Sequence, residues 1–231
     1  MITNQKYIPK NDLESNLMRY SSNTWNWEYI CYNLLISEDF LENILDINKW
    51  SFYALSRNQG LSSKFIQKYI ERDWDIIFLL ELPCMDSELI SFMIDKRPDW
   101  IEHLQRSPLL CMNSIRKLNK SPNKQFYSDI SGNPNLHPKF IEENIDKKWM
   151  WSALSRNSHL TYDFLKTYID KPWCVLILAR NPNLNIEWIL LLNNHLVLPG
   201  DFWIFVSEHP NINTTDFDNY PHLPFSWNGF S

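Results

Sequence analysis

The chain has 231 residues, 44% of them hydrophobic and 21% charged, and carries 11 Trp, 13 Phe and 10 Tyr at a net charge of −5. That much apolar material builds a large core and argues against disorder, while the acidic balance has the wrong sign for a general nucleic-acid binder. Only four glycines are present, which weakens both hairpin architectures and phosphate-cradling loops.

The N-terminal stretch, Met1 to Tyr20, is polar and lacks the apolar run of a signal peptide. Apolar runs such as Trp188 to Leu192 fall far short of the ~20 residues of a membrane span. Cys31, Cys84, Cys111 and Cys174 form no Cys-x-x-Cys pair, so neither a zinc site nor a redox motif is indicated. Free thiols, buried in a reducing compartment, fit best. The expectation is a soluble, intracellular protein with no membrane contact.

Residues 1–24 are polar and lack the repeat described next, so they read as an N-terminal arm or cap. From residue 25 onward the chain repeats. Trp50 to Asn58 and Trp149 to Asn157 both end Ala-Leu-Ser-Arg-Asn, and Trp173 to Asn181 ends Leu-Ala-Arg-Asn. With that Asn as anchor, the register runs through Asn33, Asn58, Leu82, Ser107, Asn133, Asn157, Asn181 and His209, spaced 24 to 28 residues apart. Three residues before each anchor stand Ile30, Leu55, Leu79, Leu104, Ile130, Leu154, Leu178 and Val206. Eight before stands Trp in five units: Trp25, Trp50, Trp74, Trp149 and Trp173. Eight after, every unit is apolar, from Leu41 to Phe217.

Within a unit the apolar spacing is helical on both sides of the anchor. Four after it come Ser37, Ser62, Asp86, Thr161, Asn185 and Asn213, side chains suited to cap a second helix. Pro follows the anchor at Pro83, Pro134, Pro182 and Pro210, which disfavours helix through the anchor. Each unit is therefore expected to be a helix of about eight residues, a tight turn, and a helix of nine or ten. Helices this short need neighbours, so the predicted fold is all-α, an α-solenoid of about eight ~24-residue helix-turn-helix repeats over 25–216. A leucine-rich repeat would need strict strand alternation before the Asn. The position five before the anchor is apolar in only half of the units, which argues against it.

Repeats reading Ser131-Gly132-Asn133-Pro134-Asn135-Leu136 and Ala179-Arg180-Asn181-Pro182-Asn183-Leu184 resemble the short Trp- and Asn-rich repeats of many giant DNA virus proteins. They are more distantly similar to leucine-rich variant repeats, which are helical. The units anchored at Leu82, Ser107 and His209 depart from that pattern. The resemblance implies a viral source and a helical fold, and implies no catalytic residues.

Arg57, Arg106, Arg156 and Arg180 each precede an anchor. They form a candidate binding ladder for an acidic partner or anionic strand, or a structural row paired with the acids that end the second helices (Asp46, Glu71, Asp95, Asp146, Asp170) and stacked on nearby Trp. Packed helices lie about 8–10 Å apart, a poor match to the ~3.4 Å rise per nucleotide, so the structural role is favoured. The Trp series, with Leu55, Leu154 and Leu178, is expected in the repeat core. The anchors Asn33, Asn58, Asn133, Asn157 and Asn181 are expected to hold the turn.

The six His are scattered without metal-ligand spacing, and no catalytic motif is present, so no metal, cofactor or enzymatic activity is expected. Residues 217–231, with Phe225, Trp227 and Phe230, read as an aromatic tail that caps the last repeat. The expected function is a non-catalytic protein–protein interaction scaffold whose partner is a host factor or virion protein. A self-associating structural component is the alternative, and a nucleic-acid-binding solenoid the weaker one.

Overall fold

The computed structural model describes residues 8–20, 25–33, 36–44 and 50–226. Among them every regular element is helical. In chain order these are α1 (Asp12–Arg19), α2 (Trp27–Cys31), α3 (Glu38–Ile44), α4 (Phe52–Leu55), α5 (Ser63–Lys68), α6 (Ile76–Leu79), α7 (Ser87–Lys96), α8 (Ile101–Leu104), α9 (Met112–Leu118), α10 (Phe126–Ile130), α11 (Pro138–Glu143), α12 (Trp151–Leu154), α13 (Tyr162–Thr167), α14 (Val175–Leu178), α15 (Ile186–His195), α16 (Gly200–Ser207) and α17 (Thr214–Asn219). A 3₁₀ turn, Pro98–Trp100, leads into α8. The contacts divide the chain into two compact units, Met1–Leu109 and Leu110–Ser231. The division falls inside the repeat anchored at Ser107, between α8 and α9.

The anchor register is written in the backbone. At all eight anchors the amide N–H donates to the carbonyl three residues earlier, from Asn33 to Ile30 through His209 to Val206, at 2.9–3.2 Å. At Asn33, Asn58, Leu82, Asn133, Asn157, Asn181 and His209 the anchor carbonyl then accepts the amide three residues on. One residue thus closes the first helix and opens the turn into the second. The second helices begin where the polar residues predict. Ser62, Asp86, Thr161 and Asn185 each accept the N–H three residues ahead, and Ser37 does the same for Phe40. Asn213 and Asp216 form a complete capping box.

Helix lengths differ from expectation. Most first helices are single turns of four or five residues, and the second helices run from six to ten. The Trp at minus eight lies outside the first helix, immediately before an extended N-cap such as Ser51, Asp75, Met150 or Cys174. The amides of Trp74, Trp149 and Trp173 bond the carbonyl two residues earlier, closing a tight turn instead of continuing a helix. Apolar spacing therefore marks burial, which runs past the hydrogen-bonded turns: Ile70 and Ile169 are buried beyond the ends of α5 and α13.

The core holds what the repeat predicts. Leu55, Leu79, Leu104, Leu154 and Leu178 are fully buried, as are Ile66, Ile90, Ile115, Ile141, Leu165 and Ile189. Trp50, Trp74, Trp149 and Trp173 are buried and Trp25 is half-buried. Indole N–H groups of Trp25, Trp74, Trp149 and Trp173 reach the carbonyl five residues earlier at 2.8–3.0 Å, which satisfies the one polar atom each ring carries inward.

The two ends are more regular than their composition. Within residues 1–24, α1 buries Leu17 and the carboxylate of Glu14, which accepts the Ser37 amide at 2.9 Å and the Lys10 amide at 2.7 Å. At the other end Phe217 lies within α17, and its ring meets that of Phe225 at 4.4 Å. Phe225 also stands 5.9 Å from Trp203. Its amide bonds the Leu223 carbonyl, and the following Ser226 amide donates to Ser207 Oγ at 2.7 Å. Trp74, Trp149 and Trp173 and the residues after them show the same pattern. Residues 223–226 thus occupy the position of a repeat start, with Phe225 in the place of the Trp. Trp227 and Phe230 lie outside the described residues.

Candidate interaction surface

An Asn anchor can do two jobs. Its Oδ1 accepts the N–H two residues on: Gly60 for Asn58, Asn135 for Asn133, His159 for Asn157, Asn183 for Asn181. In Asn58, Asn157 and Asn181, Nδ2 also reaches back to the main chain of the preceding repeat. Asn58 donates to the carbonyls of Cys31 and Asn33, Asn157 to Leu136, and Asn181 to Ser155 and Asn157. Asn58, Asn133, Asn157 and Asn181 are buried, while Asn33 is exposed and serves as an acceptor in this row. These residues are turn scaffolding, spent on the backbone.

Two further rows escaped the sequence reading. Ser56, Ser131, Ser155 and Ser207, two before the anchor, are buried and donate to the carbonyl four residues earlier. Each also accepts the amide nineteen residues on, at Asp75, Met150, Cys174 and Ser226. Asn135, Asn183 and Asn211, two after the anchor, donate to carbonyls of the preceding turn. The recurrence of Ser and Asn at these fixed offsets was the available signal.

The Arg ladder splits. The Arg57 guanidinium lies 3.4 Å from the ring centre of Phe78, with Tyr32 Oη 3.2 Å from Nη1. The Arg180 guanidinium lies 3.6 Å from the ring centre of Phe205. Both rings belong to the next repeat, four before its anchor. Arg106 is exposed and engaged with a neighbour. Arg156 is exposed, and among the described residues it meets neither a ring nor a carboxylate. Of the acids named as partners, Asp146 pairs with Lys147 at 3.0 Å, and Asp46 lies outside the described residues.

Beside Arg156 the second unit opens a cavity of about 350 Å³, lined by Gly132, Pro134, Met150, Ala153, Arg156 and Ile177 among others. The sequence accounts for it. Gly132 holds the position that Arg fills in four repeats, and Ala153 and Ile177 hold the position of Phe78 and Phe205. A Cβ on Gly132 would meet nothing within 4 Å.

Large apolar side chains left in solvent recur on or just before the first helices of several repeats. Tyr53 in α4 is 50% exposed and Ile77 in α6 57%; in the second unit Met150 at the start of α12 is 47% exposed and Ile204 in α16 43%. Cys31 is buried and its thiol is pushed up to about 11, while Cys84, Cys111 and Cys174 are half-buried and unpaired. Among the described residues no group of three or more His, Cys, Asp or Glu is arranged to hold a metal ion, and no helix is long and apolar enough to cross a membrane.

No family model, curated protein or solved structure matches the chain.

Proposed function

We propose that the protein is a non-catalytic interaction scaffold that holds another protein through exposed apolar side chains on the first helices of its repeats. The observation that carries this reading is the exposure of Tyr53, Ile77 and Ile204, each five before the anchor of its repeat, together with Met150 two residues earlier in another repeat. Single exposed apolar residues are ordinary on any surface, but a row of them recurring at one repeat position, as Tyr53 and Ile77 do in consecutive repeats, marks a surface for contact. Arg156 is the one titratable group in the lining of the cavity beside this row, which offers no acid–base pair. The net charge of −5 supports a protein partner over nucleic acid. The repeat's resemblance to those of giant DNA viruses supports a host factor or virion protein as that partner, and four unpaired cysteines support an intracellular setting.

The test is a comparison of co-purifying proteins between the wild-type chain and an Ile77→Asp/Ile204→Asp variant. Both positions are exposed, so the variant keeps its helical spectrum. Proteins retained by the wild type and lost with the variant support the scaffold. A mass that grows with concentration in light scattering, and falls in the variant, would instead make the row a self-association surface. Identical co-purifying sets for both chains would sink the reading.

A further inference from the structure

We infer that the cavity beside Arg156 is a socket for an aromatic side chain next to a carboxylate, supplied by the partner polypeptide. This rests on the scaffold reading and names where and what the scaffold grips. The argument starts from the neighbours. At Arg57 and Arg180 the guanidinium is covered by a phenyl ring of the following repeat, Phe78 or Phe205, at stacking distance. The position equivalent to those rings at Arg156 is Ile177, which has no π-face. The stack that completes the other two arginines is therefore absent here, and open volume stands in its place.

That volume exists because two small residues stand in the same row, Gly132 in the preceding repeat and Ala153 in the repeat of Arg156 itself. Gly132 replaces an arginine and Ala153 replaces a ring, so nothing from that side fills the slot. A cavity of about 350 Å³ sits at the small end of the ~300–1,000 Å³ range of ligand sites. Its walls suit a ring, with Met150, Pro134 and Ile177 apolar and Ala153 small. Arg156 sits among them without a carboxylate partner, and a planar guanidinium takes a ring on its face and a carboxylate on its edge at the same time. A nucleobase with its phosphate shares that chemistry. A single cation in an acidic chain is a weak anchor for a polyphosphate, so a peptide is the better fit.

The experiment is a titration of the full ¹⁵N-labelled chain with N-acetyl dipeptide amides of sequence Asp-Phe, Asp-Leu and Lys-Phe, read by amide and Arg Nε–H shifts. Asp-Phe should shift Gly132, Ala153 and the Arg156 Nε–H, and bind tighter than either control. Arg156→Ala should weaken it by roughly tenfold or more. Ile177→Phe should abolish it by restoring the internal stack, with an unchanged helical spectrum. Arg180→Ala, outside the cavity, should leave it as it was. No shift at these residues at saturating peptide, or a shift that survives both Arg156→Ala and Ile177→Phe, overturns the socket. Arg156-dependent retention of oligo(dT) without any response to Asp-Phe overturns it in favour of nucleic acid. The co-purification result is independent of all of these, so the socket can fail while the scaffold stands.

Discussion

The His209 imidazole takes over the anchor's work from an asparagine, its Nε2 lying 3.0 Å from the Asn181 carbonyl oxygen while Nδ1 accepts the Asn211 amide at 3.2 Å. Only the neutral ring with its proton on Nε2 satisfies both bonds. Burial lowers the imidazole below its ordinary 6.5. The unfolded chain then binds the extra proton first, so this residue's stability contribution is complete above about pH 6.5 and is lost as pH falls through the window below it. His209→Asn keeps an anchor side chain without the titration. The melting temperature of wild type should fall relative to His209→Asn between pH 7.5 and 5, and a constant gap would show that the ring does not titrate on unfolding.

Asn181 bonds three backbone groups from a site that is 1% exposed. Asn181→Ala takes the side-chain partner from the Ser155 carbonyl and the Asn183 amide, leaves the Asn157 carbonyl with the Leu160 amide alone, and should destabilise by about 2–4 kcal/mol in chemical denaturation. Asn183→Ala, at an exposed position with bonds to the same turn, should cost about 1 kcal/mol or less. Equal costs would deny the buried row its special role.

Leu154 is fully buried at the position that is apolar in every repeat. Leu154→Ala should cost about 2–5 kcal/mol. Ser158 is exposed, and its recorded contact is made by its backbone carbonyl, so Ser158→Ala should stay within about 0.5 kcal/mol. Urea titrations of both variants decide whether the register maps the core.

Arg180→Ala removes a guanidinium stacked on Phe205 and should cost about 0.5–1 kcal/mol, whereas Arg156→Ala should be close to neutral in stability. A larger loss for Arg156 would mean that it holds the fold together.

The repeat period, the N-caps and the buried Leu and Ile positions were legible because each is enforced in every unit by the same burial or the same free amide. Helix length was less so. Trp and Leu five apart look like one helical face, yet Trp74 and Trp149 pack from a turn ahead of the N-cap, and apolar spacing cannot separate a helix from a turn that buries the same side. The arginines were the hardest. Their environment depends on the residue twenty-odd positions later, Phe78, Ile177 or Phe205, and only the stacking of repeats within a unit brings these pairs together.

The Asn side chains that join repeats grip main-chain carbonyls, and carbonyls are the same whatever residue bears them. A repeat therefore makes little demand on the identity of its predecessor's side chains at this seam. The Asn135 side chain still reaches the Leu110 carbonyl in the repeat anchored at Ser107, although that anchor is not an asparagine. Such a chain is modular at the level of inheritance: a 24-residue segment that is duplicated or exchanged keeps this part of its joint, and only the side-chain contacts must be matched anew.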